Sequence, residues 1–125
     1  MRFTFTATER LKSKKEIDLL FGQKLFVQNP SFRIYYLTEK TATQNLLKFA
    51  FSVSKKSFPH ATDRNRIKRQ MREAVRKHKQ EWKEKLADKG LSCNFLIVSR
   101  FQQKPEFQTV EKGILSLFNK LTDAV

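Results

Sequence analysis

The sequence predicts an α+β fold in two layers, in which helices pack on a small sheet. Three patterns in its 125 residues predict this class. Residues 32–37 and 47–54 alternate between two kinds of side chain, which is typical of half-buried strands. Residues 95–98 are all apolar, which indicates a strand buried on both faces, as in a parallel sheet. Apolar side chains recur at helical spacing over 63–86 and 105–122, which predicts two amphipathic helices.

The N-terminal part predicts an extended segment, a helix and a short strand. We expect residues 1–12 to be extended. A helix is expected over 14–21, because Ser13 precedes a glutamate by three residues, as in a capping box. Gly22 can end this helix. A strand over 24–28 follows, and an Asn-Pro turn separates it from the next strand.

The two alternating strands have different faces. The polar stretch 38–45 predicts a hairpin loop between them. Over 32–37, Phe32, Ile34 and Tyr36 share one face, and Arg33, Tyr35 and Leu37 share the other. Over 47–54, Phe49, Phe51 and Val53 point one way, and the opposite face consists of Lys48, Ala50, Ser52 and Ser54. Its small and hydroxyl side chains could form the floor of a ligand site, although the solvent side of an antiparallel sheet is the commoner interpretation.

Turn and cap residues place the remaining boundaries. Residues 55–60 predict a loop, because Pro59 does not fit a helix there. Thr62 or Asp63 can cap the long helix, and the Asp-Lys-Gly sequence at 88–90 ends it. The predicted order is therefore α-β-β-β-α-β-α. The chain is long enough for one hydrophobic core and too short for two, so we expect one domain over residues 1–125.

The helix over 63–86 separates into an apolar stripe and a cationic ridge. The stripe consists of Ile67, Met71, Ala74, Val75, His78 and Trp82. The ridge consists of Asn65, Lys68, Arg69, Arg72, Arg76, Lys79 and Lys83. We expect no acid on the ridge, because the spacing places the pairs Arg69–Glu73, Glu73–Lys77 and Lys77–Glu81 on its flank. Like charges along the ridge repel, and a polyanion would relieve that repulsion; a solvated helix face is the alternative.

The composition agrees with a nucleic-acid ligand. Lysine and arginine number 26 against 12 acids, giving a net charge of +14 that favours nucleic acid or an anionic surface. RNA is favoured over duplex DNA, because no helix precedes the basic helix at helix-turn-helix spacing. Phe21 and Tyr35 are candidates for stacking on bases, with core packing as the alternative for Phe21.

The sequence gives little sign of catalysis or of a membrane. Cys93 is the only cysteine, so no internal disulfide forms, and as a small residue before an apolar strand it is expected in the core. His60 and His78 lack partners at metal-ligand spacing, so we expect no metal site and no catalytic residue in this chain. No apolar run is long enough for a membrane span, and no signal peptide is evident, so we expect a cytoplasmic protein.

Several of these residues form a pattern found in a known family. Ser52-Val53-Ser54-Lys55-Lys56, a short loop, and then Arg64-Asn65-Arg66-Ile67-Lys68-Arg69 with Arg72 one turn later resemble the signature of the bacterial ribonuclease P protein component. The Arg10-Leu11-Lys12 sequence that leads to Phe21 is similar to that family's opening helix. The resemblance spans residues 9–121, which is nearly the whole chain.

The resemblance implies a cofactor of a catalytic RNA, which removes the 5′ leader from precursor tRNA with bound Mg²⁺. It implies no cofactor on the protein alone, no small-molecule substrate, and a left-handed β-α-β crossover. The residues that would face the RNA subunit are Arg64, Asn65, Arg66, Lys68, Arg69, Arg72 and Arg76. The residues that would line or border the leader cleft are Ile17, Phe21, Tyr35, Ser52, Lys55 and Lys56. Another basic RNA-binding protein, such as a ribosomal protein, is the alternative, and an autonomous enzyme is a third.

Overall fold

The computed structural model describes residue 22, residues 25–40 and residues 47–124 of the chain. These form four strands and two long helices: β1 (Phe26–Gln28), β2 (Phe32–Lys40), β3 (Leu47–Ser52), α1 (Ala61–Asp88), β4 (Leu91–Ser99) and α2 (Phe107–Ala124). The predicted α+β class is confirmed, and the order of elements agrees with the prediction. The predicted helix over 14–21 and the extended segment 1–12 lie outside the described residues. Gly22, which was expected to end that helix, is itself helical.

The four strands form one sheet in the order β1-β2-β4-β3. β4 pairs antiparallel with β2 and parallel with β3, so β3, α1 and β4 form a β-α-β unit. The predicted hairpin over 38–45 is therefore wrong. Residues 38–40 extend β2, and β4 lies between β2 and β3. Alternation shows which face a strand buries, but it does not show which strand is its neighbour.

The inner face of the sheet is covered by both helices. Phe32 and Ile34 of β2, Phe49 of β3 and Phe95 and Ile97 of β4 are buried there. The stripe of α1 packs on this face with Ile67, Met71, Ala74, Val75, Trp82 and Leu86, and α2 adds Val110, Ile114, Leu117, Phe118 and Leu121. The apolar faces predicted for the strands and helices are thus confirmed. The two long helices that the structure describes both pack on this face; the second face of the sheet is here called the outer face.

Helix α1 starts earlier than predicted and has a different cap. His60 occupies the N-cap position in extended conformation and makes no side-chain cap hydrogen bond. Thr62 and Asp63 lie inside the first turn, so the prediction that either caps the helix is wrong. The Asp63 carboxylate instead pairs with Lys104 at 3.0 Å, and an acid in the first turn favours the helix dipole.

The end of α1 matches the predicted stop signal. Asp88 is the last helical residue, and the backbone N–H groups of Lys89 and Gly90 donate to Leu86 and Ala87 carbonyls at 3.1 and 2.9 Å. Gly90 has φ of 67°, the left-handed conformation that glycine adopts at low cost. The chain can therefore reverse at once into β4, which fixes where α1 crosses the sheet.

Neither of the two helices that the structure describes has the length and apolar character to cross a lipid bilayer.

Candidate nucleic-acid interface

The outward side of α1 presents most of the predicted cationic ridge. Arg66, Arg69 and Arg72 are exposed, and Lys68 is partly buried at the border with the core. Within the part of the chain that the structure describes, none of these four side chains forms an ion pair with a carboxylate. At about 100° per residue, Asn65, Arg69 and Arg72 lie on one side of the helix, and Arg66 lies on the adjacent side. Ser54, Lys55 and Lys56, which precede α1, are exposed as well.

Arg64 has a structural task in addition to its predicted one. Its Nη1 donates to the carbonyl oxygens of Phe58 and Pro59 at 2.8 and 2.7 Å. Phe58 is buried in the core. Arg64 therefore holds the loop before α1 against the first turn of the helix; as a donor it does not cap the free N–H groups of that turn. Its guanidinium still carries charge, since carbonyl partners do not neutralise it.

Arg76 forms an ion pair with Glu73, although the ridge was predicted to carry no acid. Its Nε donates to Glu73 Oε2 at 2.9 Å, and its Nη2 bonds the other carboxylate oxygen. The hydrogen bond from Arg76 holds the pKa of the Glu73 carboxyl below its ordinary value, and the same bond raises the pKa of Arg76. The prediction failed because Glu73 was assigned to partners four residues away, whereas an arginine three residues away is equally close.

Lys79 was also predicted on the ridge, and the structure shows that this is wrong. Its side chain is only 8% exposed. Lys79 follows Val75 by four residues and precedes Trp82 by three, so it lies along the edge of the buried stripe. A lysine can lay its methylene stem on apolar surface while its amine reaches a polar environment. The ridge available to a ligand thus consists of Asn65, Arg69, Arg72 and Lys83, with Arg76 paired to Glu73 and Lys68 at its inner edge.

The opposite flank of α1 is occupied by contacts with α2. Lys77 Nζ lies 3.8 Å from Glu111 Oε2 and 5.1 Å from the centroid of the Phe107 ring. His78 Nε2 lies 3.3 Å from the same Glu111 oxygen, and its ring is partly buried. These contacts pair the Lys77 and His78 side chains with groups of α2, so this flank is less suited to a polyanion than the ridge.

Two residues predicted for the leader cleft share the outer face of the sheet. Tyr35 pairs with Leu96, and Ser52 pairs with Val98, so the two lie in neighbouring rows with β4 between them. Leu96 is buried on this face, where Tyr35, Leu37, Ala50 and Val98 pack against it. The backbone N–H of Lys56 donates to Ser54 Oγ at 3.1 Å, which fixes the turn after β3. Ile17 and Phe21, the other predicted cleft residues, lie outside the described residues.

The structure adds two residues to this face that the prediction of the site did not include. Phe26 of β1 pairs with Tyr35 across the strands, and their ring centroids lie 5.6 Å apart. Arg33 lies on the same face, with its Cζ 4.6 Å from the Phe26 ring centroid. The alternation of β2 already placed Arg33 beside Tyr35, but only the strand pairing brings Phe26 to them.

The remaining side chains considered for chemistry have other environments. Cys93 is buried in the core, as predicted, and burial raises the pKa of its thiol to about 12. A thiol with so high a pKa is a poor nucleophile at neutral pH. His60 is exposed at the start of α1. The described arrangement is therefore one of cations and aromatic rings on surfaces, which suits the binding of a nucleic-acid strand.

Comparisons with known proteins agree with one another. A family model described as Ribonuclease P matches residues 5–122 of the chain. The ribonuclease P protein component of Porphyromonas gingivalis is 35% identical over 117 residues, which cover 90% of this chain and 82% of that protein. The ribonuclease P protein component of Bacillus velezensis is 35% identical over 115 residues, covering 89% and 87% respectively.

Solved structures share the fold. The RNase P protein of Staphylococcus aureus superposes with a TM-score of 0.71 at 20% identity, covering 90% of this chain and 94% of that chain. The RNase P protein from Thermotoga maritima gives a TM-score of 0.70 at 23% identity, covering 90% and 96%.

Proposed function

The chain belongs to the ribonuclease P protein family and is a protein component of that enzyme, and we propose that it binds both the RNA subunit and precursor tRNA. In this proposal the ridge of α1 binds the RNA subunit. The outer face of the sheet, with the turn after β3, binds the single-stranded 5′ leader. Family membership also decides against the ribosomal-protein alternative.

The observation that carries the proposal is the state of the arginines on α1. Arg69 and Arg72 are exposed, stand one turn apart on a helix fixed to the core, and have no carboxylate partner among the described residues. Arginine can contact a phosphate through two parallel hydrogen bonds, and each contact releases condensed counterions from the RNA. A helix held at a fixed angle presents these groups without further ordering of its backbone.

The leader part of the proposal depends on the outer face. Tyr35 offers a partly exposed ring on which a base can stack, and Lys55 and Lys56 supply positive charge beside β3. Stacking is tolerant of base identity, because every base has a π face. This combination fits a strand whose sequence varies from one precursor tRNA to another.

We propose that the bond cleavage and the Mg²⁺ ions belong to the RNA and its substrate. Three described carboxylates on or beside α1 are already paired with cations, Asp63 with Lys104, Glu73 with Arg76 and Glu111 with Lys77. The role left to this chain is to position the substrate and to screen phosphate repulsion. Neither task requires a nucleophile or a general base in the protein.

Reconstitution tests the proposal. The protein is added to a ribonuclease P RNA at low Mg²⁺, and cleavage of precursor tRNA is followed. The protein should restore processing, and the double variant Arg69→Ala/Arg72→Ala should not restore it at the same concentration. Cleavage by rigorously RNA-free protein, or full activity of the double variant, would overturn the proposal.

A further inference from the structure

Phe26 is a large apolar side chain that remains accessible on the outer face. It is 40% exposed and belongs to β1, the strand at one edge of the sheet. Its cross-strand partner is Tyr35, whose ring is tilted by 55° to it at a centroid distance of 5.6 Å. Two aromatic rings therefore stand side by side at the edge opposite β3.

Arg33 is held over these rings in a fixed position. Its Cζ lies 4.6 Å from the Phe26 centroid and 6.0 Å from the Tyr35 centroid. Nε and Nη2 donate to Gln28 Oε1 at 3.0 and 2.8 Å, and Nη1 donates to the Tyr35 hydroxyl at 3.2 Å. A guanidinium has about five N–H donors, so roughly two remain for an external acceptor. The Arg33 guanidinium is thus fixed in orientation and keeps about two N–H groups that can donate to a ligand.

This cluster has the chemistry of a nucleotide subsite. An aromatic ring provides a stacking surface for a base, and an oriented guanidinium provides charge and donors for the neighbouring phosphate. The four described strands contain one carboxylate residue, Glu39, which follows Arg33 by six residues along β2 and is therefore roughly 20 Å away. The rows of this face continue from Phe26 and Tyr35 through Leu96 to Ala50, so the cluster is continuous with the proposed leader cleft.

We infer that Phe26 and Arg33, beside Tyr35, form a further subsite, which holds an unpaired leader nucleotide more distant from the cleaved bond than the nucleotides near Tyr35, Ser52 and Lys55. The inference rests on the proposed function. The order of the sheet supports the direction, because β3 leads into the RNA-binding helix α1 whereas β1 is three strands away. At about 4.8 Å per strand, that separation is roughly 14 Å.

A series of precursor tRNAs with leaders of increasing length tests the inference. The holoenzyme is assembled with wild-type protein, Phe26→Ala or Tyr35→Ala, and the Kd of each precursor and of mature tRNA is measured. Phe26→Ala should leave the affinity for mature tRNA and for short-leader precursors unchanged. It should weaken the affinity for long-leader precursors by roughly five- to a hundredfold, which is the range expected for the loss of one stacked base. Its effect should begin at a greater leader length than that of Tyr35→Ala.

Two further variants separate stacking from a general loss of apolar surface. Leu25→Ala removes a neighbouring side chain that is 44% exposed, and it should behave as wild type at every leader length. Phe26→Leu keeps apolar bulk beneath Arg33 and removes the ring, so it should show the long-leader defect in a protein that folds normally.

The outcomes distinguish this inference from the proposed function. If wild-type holoenzyme does not discriminate precursor from mature tRNA, the proposed leader binding itself is wrong. If wild type discriminates and Phe26→Ala matches it at all lengths, only the further subsite is overturned. A weaker affinity of Phe26→Ala for the RNA subunit alone would assign the cluster to that RNA and would also overturn the inference.

Discussion

Trp82 of α1 stacks on Phe118 of α2, with ring centroids 3.8 Å apart and planes 8° from parallel. Both side chains are fully buried, and Trp82 is the largest side chain in the core. The contact joins the helix that carries the cationic ridge to the helix that covers β1 and β2. The position of the ridge therefore depends on packing at the opposite side of α1.

Substitution of this anchor should destabilise the protein severely. Trp82→Ala is expected to lower the free energy of unfolding by about 3–5 kcal/mol, because it removes a large buried ring and leaves a cavity. Urea unfolding followed by circular dichroism measures the change. Lys83→Ala, an exposed neighbour, should stay within about 0.5 kcal/mol of wild type. A loss below about 1 kcal/mol for Trp82→Ala would contradict the packing described above.

Binding of the RNA subunit should depend steeply on salt. If about six to ten phosphates are contacted, affinity should fall by roughly 10³–10⁵ between about 50 and 200 mM salt. Arg72→Ala should reduce the slope of log K against log salt by about 0.7–0.9, the value for one lost phosphate contact. Lys112→Ala, which removes the same charge from an exposed position on α2, should change the slope less. A flat salt response of the wild-type protein would contradict the ridge as the binding surface.

The ion pair between Glu73 and Arg76 should restrain RNA binding. Glu73→Gln removes the carboxylate that occupies Arg76, so affinity for the RNA subunit should increase and its salt slope should become steeper. Glu84→Gln makes the same change of charge on an exposed part of α1 away from Arg76. Equal effects of the two variants would show that only net charge matters. Stability should hardly change, since water screens surface ion pairs.

Substitution of Tyr35 should weaken the binding of precursor tRNA more than the binding of mature tRNA. Tyr35→Ala removes a stacking ring from the outer face, which should weaken precursor binding by about 1–3 kcal/mol and leave mature tRNA nearly unaffected. Tyr35→Phe keeps the ring and loses only the hydroxyl that accepts from Arg33, so it should retain most of the discrimination. Titration of holoenzyme with labelled precursor and mature tRNA gives both affinities. Equal losses for the two RNAs would remove Tyr35 from the leader site.

Local patterns predicted each element that the structure describes. Alternation gave the buried faces of β2 and β3, and helical spacing gave the stripes of α1 and α2. The apolar run at 95–98 correctly indicated a strand, β4, in which Phe95, Leu96 and Ile97 are buried, but Val98 on the outer face is partly exposed, so the predicted burial of both faces is only partly correct. These predictions succeed because the period of a helix or strand is set by its own backbone, and burial of one face selects the residues that fit.

Side-chain orientation and burial explain the errors. Arg64 reaches the carbonyls of the loop before α1, where a capping side chain was predicted, and the choice of Arg76 by Glu73 depends on side-chain orientation. Lys79 is buried because it lies at the edge of the apolar stripe, beside Val75 and Trp82. A helical wheel places it near the boundary between the stripe and the ridge. None of these choices is encoded in the spacing of residue types alone.

The sequence by itself determined the charge, the amphipathic helices, the strands and the ribonuclease P family, because these depend on residue identity at short spacing. Only the tertiary structure decided the order β1-β2-β4-β3, which places Leu96 of β4 between Tyr35 of β2 and Ala50 of β3 on one face. The physical reason is that strand pairing is settled by the packing of the whole sheet against its helices, so partners far apart in the chain become neighbours only when the core closes.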